Sequence, residues 1–414
     1  MSLNFRVYFL GLTITAGIFV IHVAVVPLLF KYSKTFQRNL IFANHIQWPI
    51  RVDFEDPAAR GIDGGRNLSI EYESKVDKCP IKIGVWHFVP SSVYKRLKVH
   101  FDGNTDKEEL NRILDEELAT SKKPIILYCH GNSNSRAATH RIKLYKFFQE
   151  MDFHTIAFDY RGYGDSTNVY PSEAGVVEDA LLIYDWLIST VDKGGELPNV
   201  YVWGHSLGTG IASHLLGNLD ELSKDILEKT TPLPLPKGLI LEAPFNNLVD
   251  EIYEHPMSKL VLWLHWYETS FIRPFVSSFR SDEYLQRVPQ LPVLILHAED
   301  DRIVPFVVGN QLYETLMTSR GENGATLKMH AYEGRLGLGH KWICNADDLP
   351  NVVSKVIINL HSNKVPVGSS KILKNSSPRY LGIIFLHFST QKKSRAWRIK
   401  RTAILRLRST VCLV

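Results

Sequence analysis

The chain has 414 residues, 45% of them hydrophobic and 22% charged, a composition that can bury a large core and differs from that of disordered or fibrous chains. Its net charge of +5 is uneven: residues 363–414 carry twelve of the 48 Lys and Arg and none of the 43 Asp and Glu, leaving 36 basic against 43 acidic side chains in residues 1–362. A nucleic-acid-binding body, which needs a basic face on the folded domain, is thereby excluded, and the four scattered cysteines exclude a disulfide scaffold or a cysteine-based zinc site.

The first element is Val7 to Phe30. Its 24 residues contain one ionisable side chain besides tyrosine, His22. As a helix rising 1.5 Å per residue they extend roughly 36 Å, enough to cross a hydrocarbon core of about 30 Å. A cleaved signal peptide has a shorter apolar run, about 7 to 15 residues, before a small-residue cleavage site. Residues 1–39 are therefore expected to be a single-pass membrane anchor. Its orientation cues conflict. Lys31, Lys34 and Arg38 follow the span and only Arg6 precedes it, which places the body in the cytosol by the positive-inside rule. The sequon Asn67-Leu68-Ser69 is usable only in a lumenal or extracellular body.

Residues 40–362 are expected to form one α/β domain. Beyond a polar stretch, from about Lys123 onward, short apolar runs alternate with longer amphipathic ones. Strands are predicted at Ile125 to Cys129, Thr155 to Phe158, Val200 to Trp203, Leu239 to Leu241, Val293 to His297 and Leu327 to Tyr332. Helical spacing covers Arg141 to Phe148, Glu173 to Leu187, Gly208 to Leu216, Val307 to Met317 and Val352 to Leu360. Such alternation predicts a mostly parallel sheet with helices on both faces, and strands rich in Val, Ile, Leu and Phe suit burial on both sides.

The loops after these strands carry the chemistry. The first strand leads into His130-Gly131-Asn132, a relative of the His-Gly loop that supplies a backbone N–H to an oxyanion hole, here from Asn132; His130 itself is expected to brace the loop. His154 and Asp159 fit the His-x-x-x-x-Asp pattern of acyltransferases, but they lie at opposite ends of one predicted strand and should not converge. The third strand runs into Gly204-His205-Ser206-Leu207-Gly208 and then a helix. This is the Gly-x-Ser-x-Gly elbow, in which a strained strand-to-helix turn exposes the serine and its glycines leave room for nearby backbone. Ser206 is the candidate nucleophile, and the Leu207 amide at the helix N-terminus the second oxyanion donor.

A serine hydroxyl needs a base, and the base an orienting carboxylate, in the chain order Ser, acid, His. Residues 244–290, which include Leu260 to Tyr267, Phe271 and Phe275, separate two strands. They are read as a helical cap insertion, either guiding an acyl chain or serving as core for an inserted subdomain. The strand Val293 to His297 then leads into Glu299-Asp300-Asp301-Arg302-Ile303-Val304-Pro305. Asp301 is the candidate acid, because Asp-x-x-Val-Pro after a late strand resembles the α/β-hydrolase spacing, with Asp300 as the fallback. Leu327 to Tyr332 leads into Gly334-Arg335-Leu336-Gly337-Leu338-Gly339-His340-Lys341, making His340 the candidate base. In the basic tail, 363–414, Leu381 to Leu386 is too short to span a bilayer; the tail is expected to be disordered and to take no part in hydrolysis.

Five motifs in order are similar to one known group: Tyr128-Cys129-His130-Gly131-Asn132, Phe158-Asp159-Tyr160-Arg161-Gly162-Tyr163-Gly164-Asp165-Ser166, Val202-Trp203-Gly204-His205-Ser206-Leu207-Gly208-Thr209-Gly210, Leu296-His297-Ala298-Glu299-Asp300-Asp301 and His340-Lys341. The chain resembles the α/β-hydrolase domain-containing protein 12 family, its B paralogue in particular, over about Leu40 to Leu360. The resemblance implies an α/β-hydrolase fold and a membrane-bound serine lipase acting on monoacylglycerols and lysophospholipids, notably lysophosphatidylserine. It further implies the endoplasmic reticulum with a lumenal body, and a triad at the positions of Ser206, Asp301 and His340. The predicted function is thus acyl-ester hydrolysis of single-chain lipids through an acyl-enzyme on Ser206, with no cofactor and no metal. The alternatives are an acyl-protein thioesterase and a catalytically silent hydrolase fold used for binding.

Overall fold

Eight strands make one sheet: β1 (Gly65–Glu73), β2 (Pro80–Phe88), β3 (Ile125–Cys129), β4 (His154–Phe158), β5 (Val200–His205), β6 (Gly238–Glu242), β7 (Val293–Ala298) and β8 (Leu327–Tyr332). In this computed structural model, which describes residues 2–361 apart from 103–104, 192–198, 276 and 322–323, they lie in the order β1-β2-β4-β3-β5-β6-β7-β8. The six strands from β3 to β8 pair in parallel, while β1 and β2 are antiparallel additions at one edge.

Strand alternation explains why both faces must be covered. Ile125, Leu127, Val200 and Val202 point into one buried cluster, and Ile126, Tyr128, Tyr201 and Trp203 into another, because successive side chains leave a strand on opposite sides. Helices Glu173–Val191, Leu207–Gly217 and Phe306–Arg320 contribute to the first cluster; helices Thr139–Glu150 and Leu349–His361 to the second. A cluster of this kind removes most of its apolar surface from water at roughly 25 cal/mol per Å².

The stretch read only as polar holds β1, β2 and two helices, Ser91–Phe101 and Lys107–Thr120. In β1 the apolar residues Leu68, Ile70 and Tyr72 alternate with Ser69, Glu71 and Glu73, the pattern of a half-exposed edge strand. At the N-terminus, helix Ser2–Val20, a π-turn Ile21–Val25 and helix Val26–Tyr32 follow one another, so the helical run extends beyond the expected bounds of 7–30. Arg6–Tyr32 is long and apolar enough to cross a membrane. A short amphipathic helix, Lys34–Ile41, then leads to the body. The basic tail, 363–414, lies outside the described residues.

Between β6 and β7 the chain forms a series of short turns: helix Leu248–Glu254, 3-10 turn Pro256–Leu260, π-turn Glu268–Ile272, 3-10 turn Arg273–Phe275 and helix Ser281–Gln286. Leu264, Tyr267, Phe271, Ile272 and Phe275 bury against Phe30 of the N-terminal helix.

Candidate active site

Parallel strands deliver their following loops to one end of a sheet, and ligands bind at that end. The loops after β3, β5, β7 and β8 carry the candidate residues. After β5, Ser206 adopts φ 53° and ψ −121°, a left-handed conformation unfavourable for a side-chain-bearing residue. The turn is held because the Ser206 amide donates to the Glu242 carbonyl of β6 at 2.9 Å. Gly208 is a steric requirement: a Cβ there would fall 2.0 Å from the Cys129 carbonyl oxygen. Gly204 is equally constrained, since its Cβ would meet the Gly208 carbonyl oxygen at 2.6 Å.

The structure brings Ser206, His340 and Asp301 into one hydrogen-bonded line. His340 Nε2 lies 2.9 Å from Ser206 Oγ and its Nδ1 2.7 Å from Asp301 Oδ2. In that line the serine hydroxyl donates to Nε2 and Nδ1–H donates to the carboxylate. Asp301 Oδ1 accepts from the Ile303 and Val304 amides at 2.8 and 3.0 Å, which fixes the carboxylate plane. Burial raises the Asp301 pKa, but contacts with His297 and His340 outweigh it and hold the carboxyl well below the usual range, so it stays ionised beside an imidazole. Asp300, the fallback acid, does not reach His340 as a partner; both its oxygens accept from the Gly339 amide, at 3.0 and 3.1 Å. It braces the loop that presents the histidine.

His205 is buried beneath the site, and its Nε2 lies 2.8 Å from the His340 carbonyl oxygen. Burial, then the neighbouring His340, push its imidazole well below the ordinary value, leaving a neutral donor that pins the His340 backbone. Glu242 is buried beside the elbow, where burial raises its pKa to about 7 against the hydrogen bond from Trp203 Nε1 at 2.8 Å.

Gly131 packs against Ser206: a Cβ on it would lie 3.3 Å from Ser206 Cβ. This places the His130-Gly131-Asn132 loop beside the Ser206 side chain. The Leu207 and Asn132 amides donate to no protein acceptor among the described residues. The carbonyls of the same loop are all turned away and occupied. His130 O accepts from Tyr160 Oη at 3.2 Å, Asn132 O from Tyr163 Oη at 2.9 Å, and Gly131 O and Ser133 O from Arg141 Nη2 at 3.2 and 2.7 Å. His130 braces the loop as expected, with Nδ1 2.7 Å from Gly131 O and Nε2 3.3 Å from Asp159. Buried Arg136 binds Asp159 and Asp165 at 2.6 Å each.

Arg141, Tyr160, Tyr163 and Arg136 were not assigned a role from sequence, although two of them lie in a quoted motif; their spacing gives no sign of the loop they serve. The loop is also tied to the segment that follows the N-terminal helices. Ala43 bridges Ser133 in parallel, the Asn134 amide donates to Ile46 O at 2.8 Å, and the Trp48 amide donates to Asn134 Oδ1 at 2.8 Å. His154 and Asp159 do not converge: His154 pairs with His87 and Ser121 at 3.0 Å each, while Asp159 serves Arg136.

Residues 124–227 match the family model described as the alpha/beta hydrolase fold. A Danio rerio protein named "Lysophosphatidylserine lipase ABHD12" is 35% identical over 332 residues, covering 80% of this chain and 79% of its own length. The chain belongs to the ABHD12 family. The Xenopus tropicalis protein of the same name is 34% identical over 358 residues, covering 86% of this chain and 82% of its own. The Homo sapiens "Protein ABHD12B" is 33% identical over 316 residues, covering 75% and 77%. Similar identities to both branches leave the membership at the level of the family. This ABHD12-family member is a lipid ester hydrolase with an N-terminal apolar helix long enough to span a bilayer.

Proposed function

We propose that the chain cleaves acyl esters of single-chain lipids, with lysophosphatidylserine as the expected substrate and monoacylglycerol as a second. The observation that carries this reading is the Ser206–His340–Asp301 line at 2.9 and 2.7 Å, together with relatives named as lysophosphatidylserine lipases. Ser206 Oγ attacks the acyl carbonyl as its proton passes to His340 Nε2. The imidazolium is held by Asp301, and the Asn132 and Leu207 amides receive the oxyanion, each supplying on the order of 3 kcal/mol of transition-state stabilisation. His340 then protonates the departing glycerol oxygen, leaving the acyl group on Ser206. Water attacks this ester with His340 again as base, releasing the fatty acid and restoring the serine. The insertion between β6 and β7 acts as the cap that receives the acyl chain.

The Arg6–Tyr32 helix anchors the enzyme as a single-pass protein, in the endoplasmic reticulum with its body lumenal. Family resemblance supports that side. The sequon is a poor reporter, because Asn67 Nδ2 donates to Glu55 at 2.9 Å and its Oδ1 accepts from Arg136 at 2.9 Å. Protease digestion of sealed microsomes is the better test: a protected body is expected, and digestion from the cytosolic side overturns the orientation. For the chemistry, purified wild type and Ser206→Ala are compared on lysophosphatidylserine, monoacylglycerol and a palmitoylated peptide. Turnover of the first two and its loss in the variant are expected. Full activity in Ser206→Ala would falsify the mechanism, and preference for the peptide would make the enzyme a thioesterase.

A further inference from the structure

His22 is the sole ionisable side chain between Val7 and Phe30 apart from Tyr8, and its position is structured. It lies in the π-turn Ile21–Val25, a distortion that often marks a functional position in a helix. Its Nε2 is 2.7 Å from the Leu260 carbonyl oxygen of the β6–β7 insertion. The same oxygen accepts from Trp263 Nε1 at 2.8 Å, and the His22 and Trp263 ring centroids are 6.3 Å apart. A second clasp lies toward the body, where Phe30 packs on Phe271 at 4.4 Å within the buried cluster of Leu264, Tyr267 and Phe275. Eight residues separate His22 from Phe30, so the insertion follows the helix for about 12 Å.

Much of the insertion's surface beside this clasp is bare. Met257, Leu260 and Trp263 are 62%, 52% and 60% exposed, and Leu262 and Trp266 are exposed beside them. Five large apolar side chains within ten residues, with exposed Lys259 and His265 among them, form a surface that water disfavours and whose two polar heads can reach the headgroup region while their neighbours stay in hydrocarbon. Alongside a bilayer-spanning helix the same residues meet hydrocarbon, and the two indoles suit the lipid–water boundary, where an apolar ring and an N–H donor are both accommodated. The insertion also leaves and rejoins the sheet between β6 and β7, next to the strand ends that carry Ser206 and Asp301.

We infer that residues 256–267 form a bilayer-embedded segment, clasped to the N-terminal helix at His22 and Phe30, whose partner is the lipid hydrocarbon itself. A single-chain lipid then passes from the bilayer beneath the insertion to Ser206 without crossing water. This inference rests on the anchoring reading above, and the experiment separates the two.

Full-length protein is reconstituted in phosphatidylcholine vesicles whose acyl chains are brominated, and tryptophan quenching is compared between wild type and Trp263→Phe/Trp266→Phe. Loss of a strongly quenched component in the double variant is expected; an unchanged quenched fraction overturns the inference, including the case in which a second copy of the chain covers the patch. Alkaline extraction of the same vesicles tests the anchor alone. Release of the protein sinks the anchoring reading, whereas retention with unchanged quenching sinks only the embedded segment. In Leu262→Asp, which places a charge in the hydrocarbon, the ratio of turnover on vesicle-borne lysolipid to turnover on a water-soluble short-chain ester should fall by about tenfold or more. An unchanged ratio overturns the inference whatever the absolute rates.

Discussion

The two loops flanking Ser206 are held by different forces. After β3, each carbonyl from His130 to Ser133 is taken by a buried donor from Tyr160, Tyr163, Arg141 or His130, and Arg136 and Asp159 lie fully buried behind them. After β6, the insertion is a set of short 3-10, π and α turns held to the N-terminal helix mainly by aromatic contact. Hydrogen bonds fix direction, as two amides aimed at a developing oxyanion require. Apolar contact fixes proximity but little direction, which suits a surface that receives acyl chains of different lengths. On the proposed function, the chemistry falls on the rigid side and the chain binding on the adaptable one.

Substitutions that act differently on the two sides test this division, and the largest effect belongs to the acid behind His340. Asp301→Asn should lower kcat by about 10⁴ through loss of the imidazole's orientation and charge partner, equally for short and long acyl chains, whereas Asp300→Asn, which touches only the Gly339 amide, should lose far less. Steady-state kinetics on both esters reads the difference, and similar losses in the two variants would erase the assigned roles. Next, Arg141→Leu removes the donor to three loop carbonyls, those of Gly131, Ser133 and Ser135, and should reduce kcat about tenfold to a hundredfold with KM little changed; a change confined to KM would remove Arg141 from the rigid side. On the adaptable side, Phe271→Ala should raise KM severalfold, by about three- to tenfold, for long-chain lysolipid and leave a short-chain ester unaffected. Equal effects on both esters would break the comparison.

A smaller effect comes from Glu242. Its pKa is about 7 in the folded chain against an ordinary value of 4.5, with burial the principal cause. Between those values the folded chain keeps a proton that the unfolded chain has released, so stability falls as pH rises through the window, by on the order of 3 kcal/mol, and is level above it. Glu242→Gln keeps an acceptor for Trp203 and should flatten the slope, making the variant the more stable protein above pH 7. Denaturant titrations at pH 5, 6 and 8 measure this. The smallest effect expected is from removing residues 363–414, which should leave turnover unchanged; a large loss would give the basic tail a part in hydrolysis.

The parallel part of the sheet was legible because its strands are short, apolar and separated by amphipathic helices. The elbow was legible because its glycines have a local steric cause. β1 and β2 were hidden by Lys82, Arg66 and the glutamates of an edge strand, although Ile81, Ile83 and Val85 alternate along β2. Spacing favours Asp301 over Asp300, and the fold separates them by partner: Asp301 reaches His340 and the Ile303 and Val304 amides, Asp300 only the Gly339 amide. Arg141 and Tyr163 gave no local signal at all, since their partners lie 10 and 31 residues away, a distance that only the folded chain closes.

The tie between residues 43–48 and the loop at Ser133 and Asn134 bears on how a form of this enzyme without its N-terminal apolar helix can be made. The N-terminal apolar helix and the first residues of the body are not separable at an arbitrary point, because Ala43, Ile46 and Trp48 supply backbone partners to the loop that carries Asn132. A shortened chain beginning just before Ala43 retains those partners, whereas one beginning after Trp48 loses them while sparing Ser206, His340 and Asp301. Inactivity in the second form would then reflect a missing brace and not a need for the bilayer.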